Sequence, residues 1–113
     1  VAEKDSWISQ IRKGVIEVAI LGLLDSEETY GSELVEKLSA YPALAISAGT
    51  VYPLMSRLNK AGLIDSVWRE SPVGPPRKYY TLTLKGRAEL DEMMMAWESV
   101  SGAVDQVLKE VSK

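Results

Sequence analysis

Near the end of the chain, Leu90, Met93, Trp97, Val100, Val104, Val107 and Val111 recur at alternating intervals of three and four residues. An apolar seam of that period marks a helix that packs lengthwise along another helix. A helix over residues 84–111 would be roughly 42 Å long at 1.5 Å per residue, more than a small domain can cover. The excess needs a partner, and a second copy of the chain is the expected one, with Leu90, Val100, Val104, Val107 and Val111 in a homodimer contact. The first helical segment, residues 6–24, supports this. There Ile8, Ile11, Val15 and Val18 make one stripe while Ile16, Ile20, Leu23 and Leu24 make another. A helix apolar on two sides must be covered on two sides, so Ile8 and Ile11 are assigned to the dimer contact as well.

Residues 47–83 read as a helix followed by a two-stranded ribbon. Val51, Leu54, Met55 and Leu58 fall on one face at helical spacing, and Ser47 is an expected N-cap whose hydroxyl accepts from a first-turn N–H. Gly62 supplies the stop. Pro53 interrupts one hydrogen bond of this helix, but the apolar period continues across it. The strands are expected over residues 63–70 and 77–82, around a tip holding Pro72, Gly74, Pro75 and Pro76. Upstream, residues 25–29 read as a polar break, residues 30–39 as a short helix with Leu34, Val35 and Leu38 inward, and residues 41–46 as a connector. Thr83 is an expected N-cap for the last helix. The fold class is therefore mainly α with a small β-ribbon (α+β), with residues 1–83 as one unit and residues 84–113 as a C-terminal dimerisation helix.

A helix beside a ribbon suits a protein that enters one DNA groove and reaches a second. Net charge is −3 over 113 residues, which argues against nucleic acid until its distribution is read. Residues 57–87 hold Arg57, Lys60, Arg69, Arg77, Lys78, Lys85 and Arg87 against Asp65 and Glu70, a net of +5, while each flank carries −4. One positive block in an acidic chain can be steered locally toward phosphate.

Cysteine and histidine are both absent. That removes disulfides, the usual zinc sites, thiol nucleophiles and the commonest general base. The carboxylates are spaced as solvated helix faces, so neither an enzyme nor a metal or cofactor site is expected. Val1, Ala2, Glu3, Lys4 and Asp5 have neither the basic end nor the apolar run of a signal peptide, and no apolar stretch is long enough for a membrane span. A cytoplasmic location is expected. A rival reading, suggested by the overall acidity, is an interaction module that binds protein and not DNA.

Tyr30 and Gly31, then Ser47 with Gly49, Thr50, Val51, Tyr52 and Pro53, then Arg57, Leu58, Gly62, Leu63 and Ile64, and finally Arg77, Lys78, Tyr79, Tyr80, Leu82, Thr83 and Gly86 together resemble the PadR family of bacterial transcription regulators. The likeness runs from about residue 14 to residue 111, and it is the combination at matching separations that is specific. It implies a winged helix-turn-helix that binds double-stranded operator DNA as a dimer, usually as a repressor, with release by a small ligand in several members. The single C-terminal helix resembles the compact subfamily, whose multidrug-sensing members carry a tryptophan at the position of Trp97 that sandwiches flat aromatic compounds across the two-fold axis. Lys85 departs from the pattern, standing where an acid is common.

The outer face of the third helix collects Gly49, Tyr52, Pro53, Ser56, Arg57 and Lys60 and carries no acid. Tyr52, Ser56, Arg57 and Lys60 are the candidates for phosphate and base-edge contact. Ser47, Gly49 and Thr50 are small enough to let a phosphate approach the helix start. Arg77 and Lys78 are candidates for backbone or minor-groove contact from the ribbon, whereas Tyr79 and Tyr80 suit strand packing. Trp97 is large for a tight two-helix seam and is expected to prop open a slot lined by Met93, Met94, Ser101, Val15, Ile16 and Ala19, suited to a planar aromatic effector. A dry dimer core made of the same residues is the alternative.

Overall fold

The computed structural model describes residues 6–111; Lys4 and Lys113 of the charge count, and the signal-peptide reading of residues 1–5, lie outside it. Helix α1, Trp7–Ser26, starts at Ser6, whose hydroxyl accepts the N–H of Ser9 at 3.0 Å. A two-residue strand β1, Thr29–Tyr30, leads into α2, Gly31–Ser39. After a single 3-10 turn, Pro42–Leu44, come α3, Ala48–Lys60, strands β2, Ile64–Arg69, and β3, Arg77–Leu82, and the long α4, Leu84–Val111.

The ribbon is a three-stranded antiparallel sheet of order β1-β3-β2. Ile64 pairs with Leu82 and Arg69 with Arg77 at the two ends of the hairpin, while Thr29 pairs with Tyr80 and Tyr30 with Tyr79 on the other edge. Strand β1 corrects the reading of residues 25–29 as a polar break. Thr29 is fully buried, and its hydroxyl donates to Glu27 O at 3.1 Å while accepting from Lys37 Nζ at 3.2 Å. Its polar side chain is satisfied, so the backbone can close the sheet.

Helix α3 keeps its period across Pro53, with Val51, Met55 and Leu58 buried. It is not capped as expected: the Ser47 carbonyl, not its hydroxyl, accepts the N–H of Thr50 and Val51, and the hydroxyl sits 3.4 Å from that of Thr50. At the other end Gly62 turns with φ of +80°. Thr83 starts α4 as its sequence implied, accepting the N–H of Gly86 at 2.9 Å and donating to Gly62 O at 2.7 Å.

The core joins Ile16, Ile20, Leu21 and Leu24 of α1 to Leu34 and Leu38 of α2, the inner face of α3, Ile64, Tyr80 and Leu90. Leu90 thus belongs to the protomer's own core at 3% exposure, which corrects its assignment to the dimer contact. It lies within the first two turns of α4, the part packed on α1. Beyond Met93 the helix runs past the domain, and Trp97, Val100, Val104, Val107 and Val111 are exposed together with Ile8 and Ile11 of α1. The shape reflects this. Its radius of gyration is 16.3 Å and its extents are 57 × 37 × 22 Å, against about 13 Å for a compact chain of this length.

Candidate nucleic-acid interface and apolar groove

Gly49, Tyr52, Pro53, Ser56, Arg57 and Lys60 lie on the outer side of α3 and Thr50 at its edge, all of them exposed, as is Ser47 at the helix start. Tyr52 leans toward α2. A Cβ at Gly31 would come within 2.3 Å of Tyr52 Cε1, so only glycine lets the ring lie across the first turn of α2. Tyr80 lies beside it, its hydroxyl pKa raised first by burial and then by the neighbouring Tyr52.

The ribbon presents its cations on aromatic surfaces. The Arg77 guanidinium lies 4.4 Å from the centre of the Tyr30 ring, and Lys78 Nζ lies 5.9 Å from both Trp68 and Tyr80. Such stacking limits where a long side chain can wander while leaving its charge near solvent. A hollow of about 210 Å³ is lined by Tyr30, Gly31, Ser32, Tyr52, Trp68, Arg77, Lys78 and Tyr80. It joins the outer face of α3, the start of α2 and the ribbon in one surface. Tyr30, Gly31, Ser32, Trp68 and Tyr80 were missing from the sequence-based set. The antiparallel register that sets Trp68 opposite Lys78 is the signal that would have found Trp68.

Not all of the +5 block faces outward. Arg57 is paired with Glu17 of α1, Arg69 with Glu28 at 2.8 Å, and Arg87 with Asp25. Lys85 Nζ donates to Ala61 O at 2.9 Å. Three arginines therefore tie α3, β2 and α4 to α1 or the segment that follows it, and Lys60, Arg77 and Lys78 carry the charge that remains on the α3 and ribbon surface. Elsewhere, the Lys37 ammonium donates to Glu27 Oε1 at 2.7 Å and holds that carboxyl below the usual range.

A second, apolar feature lies between α1 and α4. An open groove of about 390 Å³ is walled by Ile11, Gly14, Val15 and Val18 on one side and Met93, Ala96, Trp97 and Val100 on the other. Trp97, Met93 and Val15 of the expected slot line it; four others do not. Ile16 is 6% exposed in the core and Ala19 packs against the core, because each lies round α1 from the Val15 and Val18 stripe. Met94 is one residue past Met93 and so faces solvent, and the Ser101 hydroxyl is directed to Glu98 O at 3.5 Å. Ile11 and Val100, assigned to the dimer contact, are groove walls as well.

Among the described residues, no group of His, Cys, Asp or Glu can hold a metal ion, and no helix is long and apolar enough to cross a membrane.

Residues 20–92 match the model of the transcriptional regulator PadR-like family. Over 95 residues the chain is 32% identical to a transcriptional regulator from Mycobacterium tuberculosis, covering 84% of this chain and 87% of that protein. Its structure superposes on that of a PadR-like transcriptional regulator from Bacillus cereus with a TM-score of 0.81 and 42% identity, covering 88% of this chain and 97% of the other. A PadR family transcriptional regulator from Eggerthella lenta gives 0.80 and 35%, covering 88% and 86%.

Proposed function

Since the chain belongs to the PadR-like family of transcriptional regulators, which bind DNA and are not enzymes, we propose that it is a homodimeric repressor that reads a pseudo-palindromic operator. In this reading residues 1–83 contact DNA and residues 84–113 dimerise. Helix α3 enters the major groove, with Tyr52, Ser56, Arg57 and Lys60 reaching phosphates and base edges, Pro53 on the same face, and Ser47, Gly49 and Thr50 admitting a phosphate at the helix start. Arg77 and Lys78 reach the backbone or minor groove beside it. The observation that carries this is the hollow in which Tyr52 of α3 and both ribbon cations share one wall. Duplexes selected from a random pool should converge on inverted half-sites about one helical turn apart. Selection of asymmetric sites, or none, would count against it.

The dimer contact is the exposed strip of Ile8, Ile11, Val100, Val104, Val107 and Val111. A groove open on one side, with a tryptophan in its wall, becomes a closed slot once a second copy covers it. We assign to that slot a planar aromatic or lipophilic effector, stacked near Trp97 and bedded on Met93 and Val15. Release requires that the effector bind the arrangement unable to hold DNA better than the competent one. Planar aromatics should quench tryptophan emission in the wild type and not in Trp97→Ala, and saturating compound should weaken operator binding in a gel shift. Quenching that leaves operator affinity unchanged would separate binding from control.

A further inference from the structure

Arg12 and Lys13 belong by sequence to the acidic first part of the chain, yet the fold returns them to α3. With Ser9 and Ile16 of α1, and Ile46 and Thr50 at the start of α3, they line a hollow of about 160 Å³. Among the described residues its lining holds two cations and two hydroxyl side chains and no acid. Arg12 is held in place there: its Nη1 donates to Ala43 O at 3.2 Å, on the turn that precedes α3. A guanidinium has five N–H donors, so this anchor leaves others for a ligand.

The position of the hollow matters as much as its charge. Thr50 and Tyr52 stand about 200° apart around α3 at 100° per residue. Tyr52 borders the ribbon hollow and Thr50 borders this one, so the two flank α3 on opposite sides. On α1, Arg12 lies about a third of a turn and Lys13 nearly half a turn round from the stripe that walls the apolar groove, so a second copy covering that stripe leaves them at the edge of α3.

We propose that this edge of α1 seats a backbone phosphate of the bound duplex, so that α3 is bordered by cations on both sides. The proposal rests on the DNA-binding reading above and extends the interface to an element that the sequence placed outside it. Charge complementarity and continuity with the first turn of α3 identify the occupant as a duplex phosphate. A guanidinium and an ammonium flanked by hydroxyls match its tetrahedral oxygens. A seat of this kind positions the protein without reading sequence. Because Arg12 and Lys13 are neighbours of Ile11 and Gly14 in the groove wall, a shift of α1 moves the seat with it.

The test is the salt dependence of binding to a mixed-sequence duplex of about 24 base pairs, followed by fluorescence anisotropy. With one seat per protomer, R12Q/K13Q should make the log–log slope of the dimer shallower by about 2, since each phosphate that the protein neutralises adds about 0.9 to the slope. Affinity should fall about 10- to 100-fold at low salt and equally for all duplexes, operator included. Lys13→Gln, which leaves the Arg12 anchor intact, should give part of the loss, while R12K/K13R and the distant Lys109→Gln keep the wild-type slope. A wild type that binds with ordinary salt dependence and an R12Q/K13Q variant with the same slope overturns the seat alone. A loss confined to the operator sequence also overturns it, since phosphate contacts carry no sequence information. A wild type that binds no duplex overturns the DNA reading and the seat together.

Discussion

Arg57, on the outer face of α3, is paired with Glu17 of α1. Glu17 falls between Val15 and Val18, which wall the apolar groove, so the acid that holds an arginine of the proposed DNA face sits on the groove helix. A phosphate must compete with Glu17 for that guanidinium. Both groups are substantially exposed, which limits the pair to about 1 kcal/mol or less. Glu17→Gln should therefore strengthen duplex binding by up to about fivefold, and Arg57→Ala should weaken it. Unchanged affinity in Glu17→Gln, measured by anisotropy at low salt, means that the pair does not compete with DNA.

Gly86 is required by space. A Cβ there would stand 1.9 Å from the Leu63 carbonyl oxygen, a backbone atom that cannot rotate away. Gly86→Ala should cost about 2 kcal/mol or more, as overpacked sites do, and lower the melting temperature accordingly. Gly102→Ala, with nothing near its Cβ position, should be neutral to stabilising. Thermal unfolding followed by circular dichroism compares the two.

Position along α4 decides what a substitution does. Leu90 is buried within the protomer, so Leu90→Ala should cost about 2–5 kcal/mol of stability. Val104 is half exposed and in the strip assigned to the partner. Val104→Asp should leave the protomer folded and shift it to a monomer in sedimentation velocity, with loss of tight operator binding. A Val104→Asp dimer of wild-type strength would move the contact elsewhere.

Two groups with displaced pKa values contribute to the pH response, one at each extreme. The Glu27 carboxyl is held low by Lys37, so its contribution to stability is complete above its ordinary value of about 4.5 and is lost as pH falls through the lower, folded value. The Tyr80 hydroxyl is pushed up by burial. The unfolded chain ionises there first, so stability declines as pH rises above about 10. Carbon-detected titration should place Glu27 below its ordinary value of about 4.5 in the wild type and higher in Lys37→Met; no difference between the two proteins would remove the ion pair as the cause.

Helical periodicity made the long elements legible: α4 matches its expected span, and the inward residues of α3 follow from spacing alone. Strand β1 did not, because two residues carry no period and its partner Tyr80 lies far along the chain. The groove was half legible for a related reason. Spacing shows that α1 has two apolar stripes but not which one meets α4, so Ile16 and Ala19 were placed on the wrong side. Glu17, Glu28 and Asp25 were invisible as partners of the basic block for the same want of long-range pairing. The charge partition by sequence also hid Arg12 and Lys13, which only the packing of α1 on the turn before α3 brings to the candidate surface.

The proposed operator recognition depends on a dimer that holds two copies of α3 one helical turn apart. The chain has no cysteine, so Ala61→Cys, at the exposed end of α3 and outside the proposed contact set, takes one spin label per protomer. On selected duplex, pulsed dipolar spectroscopy should give a single population centred near one helical turn, about 34 Å, within the reach of the label arms. Absence of dipolar coupling at full duplex occupancy, or a broad spread of distances, would contradict the paired-helix geometry.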